Sequence, residues 1–294
     1  MSEINLASGI TNKIVRDMSN HDYHALRDSF SSTQLKYLLT TSPRHFKAKY
    51  IDGDIAETKS TPALTLGSLV HCLVLTPGEI SKEFVFLPDL DLRTKVGRAE
   101  KASIELVANG RLLVTEDVRL QAVEMSNAVL ADPSACKLLA DCENELSYFW
   151  TCPHTGLRFR ARADGYAKNT KALIELKTGK DMSPLHFQRQ AYNLNYDLSM
   201  AHYMEGLRRN DLECSKGYFI TVESAAPYVV QCYQADDSFI DLGHQKWLEA
   251  ITKLMAGKSN DKWPSYVDAA LQEYPLLMPP AWAKNTATYN DSSF

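Results

Sequence analysis

From Leu157 to Gly179 the chain reads LRFRARADGYAKNTKALIELKTG, and the alternation in this stretch decides the fold. Apolar and polar side chains alternate from Leu157 to Ala167 and again from Ala172 to Lys177, the period of two expected of strands. Lys168-Asn169-Thr170-Lys171 between them is a short polar turn, so the two segments predict an antiparallel hairpin. Upstream, Glu145 to Cys152 alternates in the same way and is joined through Pro153-His154-Thr155-Gly156, which extends the hairpin to a three-stranded meander. Asp164 falls near the end of the middle strand and Glu175 in the third, where a hairpin brings two carboxylates to one edge of the sheet. Lys177 follows Glu175 by two residues, so it shares that strand face.

Helices are predicted on both sides of the meander. Ser31 with Gln34 makes a capping box ahead of Leu35, Leu38 and Leu39, starting a helix to Tyr50 that Pro43 kinks or divides. Pro62 through Leu75 is an apolar helix that carries His71 and is stopped by Thr76-Pro77-Gly78. Val96 to Ala140 is a mixed helical region. Ser183-Pro184 opens a long helix to about Arg209. Gly217 to Glu223 and Tyr228 to Gln234 read as two further strands, and Asp236 to Ala256 as a closing amphipathic helix. The tail from Trp263 to Trp282 is rich in proline (Pro264, Pro275, Pro279, Pro280) and is read as a segment that wraps or links.

The chain's 294 residues, 45% hydrophobic and 23% charged, suit a folded globular protein. It has neither a run of 18 apolar residues nor a signal-like N-terminus, so a cytoplasmic protein with no membrane association is expected. Six cysteines without a C-x-x-C pair are read as reduced thiols, which argues against a zinc or redox motif. A formal charge of -4 argues against a protein that coats nucleic acid nonspecifically, but says nothing against a local basic groove. Lys36, Arg44, Lys47 and Lys49 run without an intervening acid, and Arg158, Arg160 and Arg162 alternate along one strand. Arg44, Arg160 and Arg162 are candidate phosphate contacts. Arginines beside an acidic site also serve as plain ion-pair partners.

Two carboxylates and an ammonium converging on one edge suit Mg²⁺ or Mn²⁺ and phosphodiester hydrolysis, because hard oxygen ligands hold such ions and an ammonium offsets charge on the phosphate. Taken alone, Glu175-x-Lys177 is also the pattern of a solvated ion pair, and Asp164-Gly165 that of a bulge or turn. In combination, Arg162-Ala163-Asp164-Gly165-Tyr166 and Ile174-Glu175-Leu176-Lys177-Thr178-Gly179 resemble the active-site hairpin of the PD-(D/E)XK nucleases. Gln188-Arg189-Gln190-Ala191-Tyr192 is similar to the Q-x-x-x-Y motif of their RecB-like branch, and Gln188 and Tyr192 share a helical face. Leu66-Gly67-Ser68-Leu69-Val70-His71 resembles the histidine helix of that branch. A lone histidine on an apolar helix is otherwise a core residue, and a lone tyrosine is too. Within the branch, Tyr23-His24-Ala25-Leu26, the Ser31 helix start and Ser42-Pro43-Arg44-His45-Phe46 occur in the order of RecE-type recombination exonucleases, a likeness that runs from about Tyr23 to Tyr203.

The resemblance implies an α/β fold: a PD-(D/E)XK core with a central mixed sheet flanked by helices and an N-terminal helical region. It implies one domain over 1–294, mainly helical to 140, with the catalytic sheet and helices over 141–257 and the tail after 258. His71, Asp164, Glu175 and the Leu176 carbonyl would hold Mg²⁺, or Mn²⁺ in its place, and Lys177, Gln188 and Tyr192 would position nucleophile and phosphate. Ser42 stands where some relatives carry a cluster-binding cysteine, so no iron-sulfur cluster is expected. The implied activity is exonucleolytic digestion of linear double-stranded DNA, 5′ to 3′, leaving 3′ single strands. Expected partners are DNA ends, a single-strand annealing protein and further copies in a ring-shaped trimer or tetramer. A nuclease-like fold that only binds DNA or a recombination protein is the rival reading, and the intact Asp164, Glu175 and Lys177 set argues against it.

Overall fold

Alternation in the sequence becomes a six-stranded sheet in the computed structural model, which describes residues 12–55, 61–91, 93–266 and 276–280. In chain order the elements are β1 (Lys13–Val15), α1 (Asn20–Ala25), α2 (Ser32–Thr40), α3 (Pro43–Tyr50), α4 (Pro62–Leu75), α5 (Ile80–Glu83), β2 (Phe84–Phe86), α6 (Lys95–Ala108), β3 (Leu112–Val114) and α7 (Glu116–Ala131). There follow α8 (Pro133–Leu139), β4 (Cys142–Thr151), β5 (Arg158–Ala167), β6 (Ala172–Gly179), α9 (Pro184–Asn193), α10 (Tyr196–Arg209), β7 (Lys216–Glu223), β8 (Val230–Gln234) and α11 (Asp237–Asn260). The sheet order is β1-β4-β5-β6-β7-β8. Every neighbouring pair is antiparallel except β6 and β7, which run parallel, so the sheet is mixed as expected.

The predicted meander is present as β4, β5 and β6, and the capping box at Ser31 and the helix stop after Leu75 fall where expected. At Pro43 the first long helix divides: Ser42 caps the new helix, its hydroxyl accepting the N–H of His45. The long helix expected from Ser183 to Arg209 is corrected to two, α9 and α10. Asn195 takes a left-handed conformation (φ 52°) between them, which asparagine tolerates and a continuing helix does not. Its side-chain oxygen accepts from Lys246 of α11. The mixed helical region contains β3, a short strand that pairs in parallel with β2, and β1 adds an outer strand to the sheet. Most of the proline-rich tail lies outside the described residues. At its start Trp263 stacks on Phe46, 6.0 Å between ring centroids, and the Pro264 carbonyl accepts the N–H of Arg44.

Helices cover both faces of the sheet. One core joins Leu35, Leu38, Leu198, Leu207, Trp247 and Leu254 of α2, α10 and α11 to Leu146, Tyr148 and Trp150 of β4 and to Phe159, Ala161 and Ala163 of β5. The other joins Leu69 of α4 and Met125 and Val129 of α7 to Ala167, Ala172, Ile174 and Leu176, with Cys142 packed against them. Strict alternation would keep Ala163 and Ala167 under the same helices. The inward face instead switches between them, at the level where β4 carries Glu145 with a left-handed φ of 50°. Glu145 stands opposite Asp164 in the register set by Asn144–Gly165 and Leu146–Ala163. The point where the pair of strands turns over is where the acids are.

Candidate active site

Asp164 is held by its neighbours across the hairpin. The β5–β6 pairing ends at Gly165–Ile174, and the next free backbone donor, the Leu176 N–H, gives its hydrogen bond to Asp164 Oδ2 at 2.8 Å. Lys177 Nζ reaches three acceptors, Glu175 Oε2 at 2.8 Å, Asp164 Oδ2 at 3.4 Å and the Leu176 carbonyl at 3.0 Å. From α4, His71 Nδ1 comes within 3.5 Å of Asp164 Oδ1. The structure thus brings together His71, Asp164, Glu175, Leu176 and Lys177, all named from the sequence.

The electrostatics divide the acids. Burial alone would raise the Asp164 carboxyl, but Lys177 and His71 hold it well below the usual carboxylate range. Burial and the neighbouring Asp164 push Glu175 up to about 7, against the pull of Lys177. Burial would lower Lys177, yet Glu175 and Asp164 hold it above its ordinary value. His71 is raised because Asp164 outweighs its burial. Glu175 Oε1 is buried without a hydrogen-bond partner, a costly state for a carboxylate that a cation would relieve. Two carboxylates, a carbonyl and an imidazole are donors suited to Mn²⁺, and the oxygens to Mg²⁺. The residues present therefore fit a divalent cation.

Other residues at the site were not placed there by the sequence, although Lys36 stood in the basic run noted on the Ser31 helix. Glu145 offers an oxygen which, with atoms of His71 and Asp164, forms a group lying within 4.8 Å of one another. Burial and then Asp164 push its carboxyl up to about 7. Lys36 on α2 and Lys177 both lie near the Tyr196 ring, at 5.7 and 5.5 Å, and burial followed by Lys177 lowers Lys36 to about 8. Tyr203 of α10 borders a cleft of about 1120 Å³ that also takes in Asp164 and Glu145. A smaller cavity of about 490 Å³ contains His71, Lys177, Gln190 and Tyr196, and shares Asn20 and Glu145 with the first. A tyrosine four residues past Ser199 on a helix is ordinary, and only the placement of α10 over the sheet distinguishes it.

Gln188 and Tyr192 are not brought to the acids. They border a separate cavity of about 860 Å³ with Phe187, Phe219 and Tyr233, and Lys246 Nζ sits 4.4 Å over the Tyr192 ring. Gln190 of the same helix does border the smaller cavity, so what separates Gln188 and Tyr192 from the acids is the face of α9 they lie on. Arg160 is buried, its guanidinium donating to the Ser29 carbonyl, and it stacks near Tyr23. Arg162 donates to Ser147 Oγ and the Met18 carbonyl at 2.8 Å each. Both border the larger cleft while serving these internal bonds. Arg44 is exposed on α3 and borders neither cavity.

A solved structure from Eubacterium rectale, described as a "Putative exonuclease", superposes with a TM-score of 0.62 at 15% identity, covering 92% of this chain and 98% of that one. A phage related exonuclease from Haemophilus somnus 129PT matches more loosely, with a TM-score of 0.30 at 13% identity over 80% of this chain and 96% of that one. At these identities the first likeness shows a shared fold, and the second carries no further weight. No curated protein matches the sequence. No helix among the described residues is long and apolar enough to cross a membrane. The model of the PDDEXK-like domain of unknown function, DUF3799, matches residues 31–272, which takes in the meander, His71 and helices α2 to α11, and the chain belongs to that family.

Proposed function

We propose that the chain is a cation-dependent exodeoxyribonuclease that digests linear double-stranded DNA, 5′ to 3′, and leaves 3′ single strands for recombination by annealing. The observation that carries this reading is one ammonium shared by two carboxylates, Lys177 between Asp164 and Glu175, beside a large cleft. That cleft interleaves Arg27, Lys49 and Lys258 with Tyr23, Tyr50 and Trp263, the mixture of cations and rings that a nucleic-acid strand uses. Asp164, Glu175, the Leu176 carbonyl and His71 would hold Mg²⁺ or Mn²⁺, which polarises the phosphodiester and activates water. Lys177 offsets charge developing on the phosphate, and Tyr203 borders the path of the strand.

Polarity, the RecE-type class, an annealing partner and a ring of three or four copies rest on the sequence resemblance, and the exonuclease class also on the description of the Eubacterium rectale neighbour. The deciding experiment is digestion of end-labelled duplex with and without Mg²⁺. Activity should need the cation and vanish in Asp164→Ala and Glu175→Ala, while Ca²⁺ binds without supporting turnover. Undiminished cutting by either purified variant would sink the reading, and DNA binding without any cutting by the wild-type chain would favour a scaffold.

A further inference from the structure

We propose that the tail segment 276–280 of one copy of this chain docks in the aromatic groove beside α9 of a second copy. The inference rests on the proposed assembly of several copies and not on the nuclease reading. Leu276-Leu277-Met278-Pro279-Pro280 carries no helix or strand, and its three large apolar side chains are 89%, 101% and 66% exposed. Leu277 thus touches nothing of its own chain among the described residues. Three adjacent apolar side chains left in water form a surface that calls for a cover. The prolines also set its shape. Pro279 and Pro280 fix their own φ and hold the residue before each in extended backbone, so little freedom is left to lose on docking.

The groove is the cavity of about 860 Å³ between α9, β8 and the start of α11, lined by Phe187, Tyr192, Phe219, Tyr233, Phe239 and Leu242. Phe187 stacks on Tyr233 at 4.9 Å and meets Phe219 edge-on at 5.5 Å, so the rings brace one another. The exposed amides of Gln188, Asn193 and Gln234 stand at the rim. Rings with hydrogen-bonding groups at their edge suit an extended proline-bearing peptide, whose carbonyls have no partners within the peptide. A second copy, not the same chain, supplies that peptide. The groove lies at the start of α11 and the tail leaves from its end, where Trp263 and Tyr266 pack on Phe46 and His45 of α3. From Phe239 to Asn260, α11 rises about 30 Å. The chain from Tyr266 to Leu276 covers about 35 Å only when fully stretched. A neighbouring copy offers its groove without that limit, and segment into groove is a head-to-tail contact that closed rotation repeats.

The test is analytical ultracentrifugation of the full chain over a concentration series. The wild type should assemble. Leu277→Asp should raise the dissociation constant of the assembly by on the order of tenfold or more, as loss of an interface anchor does, without disturbing a fold that its side chain does not touch. Tyr192→Asp should do the same from the side of the groove. Mixed in equal amounts, the two variants join one intact segment to one intact groove and should form a species of twice the 33.0 kDa chain and nothing larger. Leu277→Asp that assembles like the wild type overturns the proposal whether or not Tyr192→Asp folds, and leaves the assembly itself standing. A wild type of 33.0 kDa removes both. Folded variants that dissociate yet do not pair when mixed put the segment elsewhere and overturn the contact too. A wild type that assembles through this contact and cuts no DNA keeps the contact and removes the nuclease reading.

Discussion

At Lys177 a single ammonium answers two carboxylates and a carbonyl, so its removal should not act like removal of a ligand. Lys177→Ala is expected to keep its cation and to lose on the order of 10² to 10³ in the chemical step, the effect of one lost electrostatic group. Single-turnover digestion beside calorimetry checks this, and loss of cation binding would return Lys177 to a structural ion pair. Glu175 supplies a pH dependence. Its carboxyl rises from an ordinary 4.5 to about 7, so the folded chain binds that proton more tightly than the unfolded one. Its contribution to metal-free stability is present below the ordinary value and is lost as pH rises through about 7, and Glu145 runs the same way. Asp164, depressed, has the opposite sense, but its contribution fades only as pH falls below its ordinary 3.8. A cation needs these groups ionised, so the melting-temperature gain from Mn²⁺ should be small near about pH 5.5 and full above about pH 7.5. An equal gain across that range would count against the assignment. Asp164, Glu175 and Lys177 were legible because period two fixes which strand side chains meet. Glu145 was not, because its place depends on a left-handed backbone that alternation does not foresee.

Among the elements, the meander and the helices around Ser31 and His71 were readable from alternation, caps and stops, all local chemistry. The split between α9 and α10 was not. One asparagine within an otherwise helical pattern gives little sign that the chain will turn, and that turn sets α10, with Tyr203, beside the cleft that takes in Asp164. The strands β1, β2 and β3 are three residues each, too short for a period to show. How closely α10 must be approached is visible at Gly243 on α11, where a Cβ would lie 2.1 Å from the Asp197 carbonyl oxygen. Gly243→Ala must push two helices apart, since the obstacle is backbone. It should destabilise by about 1–3 kcal/mol, the usual cost of overpacking, as a lower urea midpoint. Gly78→Ala, where a Cβ meets nothing within 4 Å, is the matched control and should move the midpoint little. Equal midpoints for the two would show that α11 does not depend on that contact.

Over the whole molecule, a formal charge of -4 has to coexist with the polyanionic substrate proposed above. Attraction through a few basic groups weakens steeply with salt, so long digestion calls for confinement, and closed symmetry supplies it by repeating one modest cleft around the DNA. Analytical ultracentrifugation should therefore find three or four times the 33.0 kDa chain at micromolar protein. A 33.0 kDa species with distributive products under competitor DNA would remove the ring and leave the active-site assignment intact. The parallel pairing of β6 with β7 sets an order in time. Glu145, Asp164 and Glu175 lie on three strands joined by short turns, whereas Ala172 can pair with Lys216 only after α9 and α10 have been made and folded back. Local closure precedes distant closure because the entropy of the longer loop must be overcome first. In pulse-labelled refolding, amides of β4 to β6 should gain protection before those of β7 and β8. On the ribosome the three carboxylates emerge after α1 to α4 but ahead of α10 and α11, so a young chain acquires its acidic centre against its N-terminal helices while the cover supplied by the later ones is still being synthesised.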